Sequence, residues 1–281
     1  MIFDKNIEIE KAAFIGAGNV AWHLAQALDG QGIRVCDVYS RELKNAQKLT
    51  KKLYESTPTN SLDFSESEAE LFIIAVPDKA IPQVAGALIL PSDNVILVHT
   101  SGSQPLSVLE KADCQIGVFY PLQTFSKKKK VKFPKIPFFI EAQEPLITDK
   151  LVDVAGELSS EVYEMNSEER KKMHIAAIFA CNFTNHLLTI AKDILKKGTD
   201  LDFEILKPLV KETITKSLLI GSENAQTGPA ARKDDAIINE HLEILESSPQ
   251  YREIYAQISA AIRGNEPENE AFQNEEKKGE E

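Results

Sequence analysis

Gly16-Ala17-Gly18-Asn19-Val20-Ala21 follows the apolar run Ala12-Ala13-Phe14-Ile15 and precedes a helix-like pattern. A strand, a glycine turn and a helix in that order read as a dinucleotide-binding turn. Gly16 lets the chain turn sharply, and Gly18 lets the backbone approach a pyrophosphate with no Cβ in the way. The small Ala21 then lets helix pack on strand. The free N–H groups of the new helix start, at Asn19 and Val20, favour phosphate with the help of the macrodipole.

The second strand reads Ile33-Arg34-Val35-Cys36-Asp37-Val38-Tyr39 and ends on Ser40-Arg41. An NAD site places an acidic residue there for the ribose 2′-hydroxyl. A carboxylate would repel a 2′-phosphate, whereas a hydroxyl and a guanidinium can hold one through charge-assisted hydrogen bonds. The expected cofactor is therefore NADP. Asp37 is the competing candidate, three residues too early and within the strand body by alternation. Arg41 can also be read as a solvated residue at a helix start.

The chain has 281 residues, 43% of them hydrophobic, which suits two domains with proper cores. Its net charge is −11, and seven Glu against two Lys after Gly264 supply almost half of that. The stretch 265–281 is expected to be a disordered acidic tail. The remaining mildly acidic body argues against nucleic acid. The one basic run, Lys127 to Lys130 with Lys132, is expected to be a solvated loop. No run of eighteen apolar residues is found, and the charged start Met1 to Lys11 has no secretory apolar core, so the expectation is a cytoplasmic protein without a membrane partner. Cys36, Cys114 and Cys181 are widely spaced and read as reduced residues, with no metal site.

Apolar runs alternate with helical patterns through the first half, as in a parallel sheet covered on both faces. Strands are expected at Leu71 to Val76, Val95 to His99, Ile116 to Tyr120 and Phe138 to Ile140. From Ser167 the strand signals stop. Helices are expected from Ser167 to about Lys197, from Phe203 to Ala225, from Asp235 to Glu246 and from Pro249 to Arg263. The fold class is thus α/β, an N-terminal Rossmann-like, mostly parallel sheet over 1–164 followed by an all-helical domain over 165–264. The broad apolar faces of the helices from Ser167 and Phe203 imply a homodimer.

The order Gly-Ala-Gly-Asn-Val-Ala, Ala75-Val76-Pro77-Asp78, His99-Thr100-Ser101-Gly102 and Tyr120-Pro121-Leu122-Gln123-Thr124-Phe125 resembles a two-domain NADP-binding oxidoreductase family. Its members join a Rossmann-like domain to a helical domain of unknown function numbered 2520. His174-Ile175-Ala176-Ala177, Asn182-Phe183 and Thr227-Gly228-Pro229-Ala230-Ala231-Arg232-Lys233-Asp234 carry the resemblance through the helical half. The layout is similar to pyrroline-5-carboxylate reductase and ketopantoate reductase, and it implies a helical domain that closes the site and builds the dimer. The chain departs from the family at Tyr120, where His is common, and at Lys233, where Gly is common.

Several residues are candidates for chemistry. Val76-Pro77-Asp78 ends a strand where a nicotinamide ribose would lie, and serves either as ligand contact or as a capped turn. His99 and Ser101 sit in the next carboxyl-end loop: the His can donate a proton and the Ser can hold a carbonyl, unless the His is simply satisfied by backbone. His174 and Asn182 project from similar helical faces, either toward a cleft or as a hydrogen-bonded pair in a dimer core. Arg232 can bind a substrate carboxylate, the reading the resemblance favours, or form a salt bridge to Asp234 or Asp235. Together they imply hydride transfer between NADP and a small carbonyl or imine substrate, an acid. The alternative is a non-catalytic NADP sensor whose helical domain binds a protein partner.

Overall fold

The computed structural model describes residues 9–92 and 94–264. The acidic tail and most of the charged amino-terminal stretch lie outside the described residues. Among the described residues eight strands form one sheet: β1 (Lys11–Ile15), β2 (Arg34–Tyr39), β3 (Thr57–Thr59), β4 (Leu71–Ile74), β5 (Ile96–His99), β6 (Gln115–Pro121), β7 (Phe138–Ala142) and β8 (Val162–Glu164). The helices among them are α1 (Asn19–Gly30), α2 (Leu43–Thr50), α3 (Ile81–Ala85) and α4 (Pro145–Gly156).

The strand order is β3-β2-β1-β4-β5-β6-β7-β8, and the chain reverses from β1 outward, as in a doubly wound sheet. All neighbours are parallel except β6 and β7. Because β7 runs against β6, the connection 122–137 leaves from and returns to the carboxyl edge of the parallel strands, the edge where such sheets bind ligands. The apolar runs are continuous because the sheet is covered on both faces. Phe14 packs on one side with Leu24, Leu28 and Leu151, while its neighbours Ala13 and Ile15 pack on the other with Phe72, Ile81 and Leu109.

From Ser167 the backbone stays helical to Gly198, as α5 (Ser167–Ala177), a π segment (Ile178–Phe183) and α6 (Thr184–Gly198). Asn166 caps it with a capping box: its side chain accepts from the Glu168 and Glu169 amides while the Glu169 carboxylate accepts from the Asn166 amide. Part of this helix is apolar and long enough to cross a membrane by length and composition, although it carries His174, Asn182, Asn185 and His186.

The expected boundary lies at 164/165, whereas the chain divides into compact units after Phe183. The physical reason is that α5 is fastened to the sheet. The Arg170 guanidinium, fully buried, pairs with Glu141 on β7 and donates to the Gln104 carbonyl at 2.6 Å. Ser167 donates its hydroxyl to Glu141 and accepts from the Leu106 amide at 3.0 Å.

The second unit continues through α7 (Lys207–Ile220), α8 (Ser222–Ala225), α9 (Asp235–Ile244) and α10 (Pro249–Arg263). The helix expected over 203–225 is interrupted: a 3₁₀ turn opens it, and Gly221 at φ +86° separates α7 from α8. Within this unit Tyr251 donates to Asp193 at 2.8 Å and His241 meets the Tyr255 hydroxyl at 2.8 Å. Leu218 and Leu219 on α7 are more than three-quarters exposed, and Ile194, Leu209 and Ile214 are exposed as well.

Candidate active site

The glycine turn is held at the end of β1. Gly16 has φ +125°, and a Cβ there would fall 2.3 Å from the Ala75 carbonyl oxygen, so both backbone conformation and space demand glycine. Its amide donates to the Tyr39 carbonyl at 3.0 Å. Gly18 caps α1 without a side-chain partner, and the first turn holds no acidic residue, so its leading N–H groups present positive charge unopposed. Val76 packs beside Gly16. At the end of β2 the Ser40 amide bonds Thr59, and Arg41 is exposed with no side-chain hydrogen bond or ion pair among the described residues. Asp37 is committed elsewhere, accepting the Ser67 hydroxyl at 2.6 Å.

At the ends of β4 and β5 the polar residues form a chain. Pro77 begins a 3₁₀ turn and Asp78 accepts the Ser103 hydroxyl at 2.5 Å. The Ser101 oxygen lies 3.4 Å from that hydroxyl and accepts the amides of Ser103 and Gln104. His99 is fully buried. The Ser101 amide donates to its Nδ1 at 3.1 Å and its Nε2 lies 3.3 Å from the Pro105 carbonyl, which is the neutral Nε2–H tautomer. Burial first, and the Arg170 charge second, push its pKa down to about 4.

His174 is a different case. Its Nδ1 lies 2.9 Å from the Tyr120 hydroxyl, and the ring stays half-buried. A Cβ on Gly102 would stand 2.6 Å from His174 Nδ1 and 2.7 Å from Tyr120 Cζ, so the 99–104 loop, Tyr120 and His174 are in direct contact. Burial raises the Tyr120 pKa to about 12, which keeps the phenol protonated. His174 stands four positions beyond Arg170, so the buried ion pair also fixes the face on which His174 stands.

Asn182 is exposed on the π segment. A spacing of eight overshoots two α turns by about 0.8 residue, and a π turn absorbs the excess, so His174 and Asn182 stay near one face. In the second unit Arg232 is exposed and has no ion pair among the described residues. Both alternatives considered for it are otherwise engaged: Asp234 caps α9, and Asp235 pairs with Arg263 at 2.6 Å. Lys233 occupies φ +57°, the left-handed conformation that explains why glycine suits its position. Among the described residues no group of three metal-ligating side chains occurs.

Residues 11–101 match the family described as "NADP oxidoreductase coenzyme F420-dependent", and residues 136–262 match DUF2520, a domain of unknown function. A candidate NADP oxidoreductase from Bacteroides fragilis is 39% identical over 92% of this chain and 99% of its own, with a TM-score of 0.84. The chain belongs to this family of two-domain NADP oxidoreductases. The family fold extends to a reductive aminase from Aspergillus terreus solved with NADPH and ethyl-5-oxohexanoate, 15% identical over 92% of this chain and 89% of that one, TM-score 0.60. It extends also to a pyrroline-5-carboxylate reductase from Coxiella burnetii, 17% identical over 92% and 97%, TM-score 0.55. No curated protein matches the chain.

The turn of this oxidoreductase fits the family's dinucleotide: the amides at Gly18 to Val20 are uncapped, and a Cβ at Gly18 would meet only Ala75 O at 3.8 Å. The motifs mark Tyr120 as a departure from the family without a role, and they pass over Arg170. Arg170 shares a helix face with His174. Lys127 lies in the exposed loop expected of it and also donates its ammonium to the Ala17 carbonyl at 2.7 Å, 5.1 Å from the Trp22 ring centroid. Nothing local predicts a contact across 110 residues.

The His99 environment has a consequence for stability. Between pH 6.5 and about 4 the unfolded chain binds a proton that the folded chain refuses, so stability is present above 6.5 and lost as pH falls through that window. The loss approaches roughly 3 kcal/mol. Denaturant unfolding across pH 4–7 should show this slope flattened in His99→Gln; an identical slope in the variant would assign the effect elsewhere.

Proposed function

We propose that the chain is an NADPH-dependent reductase of a small carbonyl or imine acid, with His174 as its proton donor. The observation that carries this is the Tyr120–His174 pair standing against the Ser101-Gly102 loop at the carboxyl edge of a dinucleotide-binding sheet. Gly18 to Val20 would hold the pyrophosphate, Ser40 and Arg41 the 2′-phosphate, and Val76 to Asp78 the nicotinamide ribose. NADPH, when bound, supplies a hydride to the substrate carbon.

The chain supplies the proton. With the Tyr120 hydroxyl bonded to Nδ1, a protonated His174 imidazole can deliver its Nε2 proton to the oxygen or nitrogen of the reduced double bond and is left as the neutral ring. Tyr120 is a positioning residue in this scheme. His99, neutral and bonded on both sides, shapes the loop that presents Ser101. Asn182 is proposed to polarise the reacting group, and Arg232, in the second unit, is proposed as a carboxylate-binding residue.

Polar residues along the apolar 167–198 helix are costly in lipid, which favours a protein surface over a membrane span. Together with the exposed α7 face it supports a homodimer, and the three unpaired cysteines fit a cytoplasmic setting. Light scattering should give twice 31.2 kDa; a monomer mass would contradict the dimer.

The test of function is loss of NADPH absorbance across a panel of keto acids and of keto acids with amines. A substrate found this way should turn over roughly 10²–10⁴-fold more slowly with His174→Gln at unchanged NADPH affinity. Unaltered turnover in that variant would remove His174 from the chemistry. Tight NADPH binding with no turnover of any substrate would favour the sensor reading instead.

A further inference from the structure

The 122–137 connection crosses the carboxyl edge of the sheet and is fastened to α1 by specific contacts. His23 Nε2 lies 2.9 Å from the Ser126 carbonyl, and the His23 ring stacks on Phe125 at 5.8 Å between centroids. The next residue, Lys127, is thereby held over the dinucleotide turn. One of its three N–H donors goes to the Ala17 carbonyl, between the two glycines, and its charge rests near the Trp22 ring.

The formal charge that acts on this ammonium is a second cation. Burial, and after it the charge of Lys48 on α2, hold Lys127 below its ordinary pKa. No carboxylate pairs with Lys127 among the described residues. The leading amides of α1 begin two residues after Ala17 and have no side-chain cap. Two cations and a helix start gathered without an anion are an arrangement that a bound anion would stabilise.

We propose that Lys127 is a cofactor-binding residue, donating its remaining N–H groups to the pyrophosphate held at Gly18 to Val20. This rests on the NADP reading of that turn and adds to it a ligand from the connection between β6 and β7. The contact with Ala17 points to the pyrophosphate rather than the 2′-phosphate, which belongs to Ser40 and Arg41 at the end of β2. Lys127 therefore serves affinity for the dinucleotide as such, and Arg41 serves the choice of NADP over NAD.

These roles separate in one experiment. Calorimetric titrations with NADPH and with NADH would be run on the intact chain and on Lys127→Ala, Lys127→Arg, Arg41→Ala and Lys129→Ala. Trp22, the chain's single tryptophan, provides a second signal through its emission. Lys127→Ala should weaken both nucleotides by a similar factor, on the order of tenfold, leaving their ratio intact. Lys127→Arg should recover most of the loss, and Lys129→Ala should match the unaltered chain. Arg41→Ala should lower the NADPH-to-NADH ratio. Weakening of NADPH alone in Lys127→Ala would overturn the pyrophosphate assignment, as would no weakening at all. If the unaltered chain binds neither nucleotide, the reading of the turn fails first and the role of Lys127 with it.

Discussion

The buried ion pair between Arg170 and Glu141 is the constraint on which the site depends. An arginine fully out of water is tolerated only because Glu141, the Gln104 carbonyl and the Ser167 hydroxyl meet its guanidinium. Removing one partner from such a pair leaves a buried charge uncompensated, at about 3–5 kcal/mol. The pair ties α5 to β7 and to the loop after β5 at once. His174, one turn further along, is set against Tyr120 and Gly102 by the same fixing. An apolar pair of similar volume could match its contribution to stability, but could not bond the Gln104 carbonyl and so hold that loop in place.

Strand direction distributes the chemistry. The parallel strands end together at one edge, where Gly16 to Val20, Ser40, Asp78 and Ser101 all lie. The antiparallel β7 returns a long connection to that edge and brings Lys127 with it. A groove of about 1220 Å³ in the first unit runs from the starts of β1 and β2 along α4, beside Ile33, Asp153 and Ser160. Its size does not make it the active site, because neither the glycine turn nor the Tyr120–His174 pair lines it.

Much of this was legible in the sequence. The glycine turn after a buried strand, Ser40-Arg41 at the end of the next and the loss of strand signals after Ser167 all express local rules of spacing and burial. β3 and β8 were not legible: Thr57-Pro58-Thr59 and Val162-Tyr163-Glu164 are three residues each and gain their pairing only from neighbours across the sheet. The π segment was likewise hidden, since Ile178 to Phe183 has an ordinary helical composition. His99 and His174 look equally able to donate a proton in the sequence. What separates them is tertiary: one ring is bonded on both sides and buried, the other has a phenol on one nitrogen and remains half-buried.

The claim at the centre of this account is that catalysis belongs to the carboxyl edge of the first unit, between the dinucleotide turn and His174. A crystal structure of the NADP⁺ complex tests it most directly. The account predicts phosphate oxygens on the amides of Gly18 to Val20 and a nicotinamide ring beside the Ser101-Gly102 loop, with its reactive carbon open to His174. A nicotinamide directed away from that loop, or a dinucleotide seated elsewhere on the chain, would contradict it.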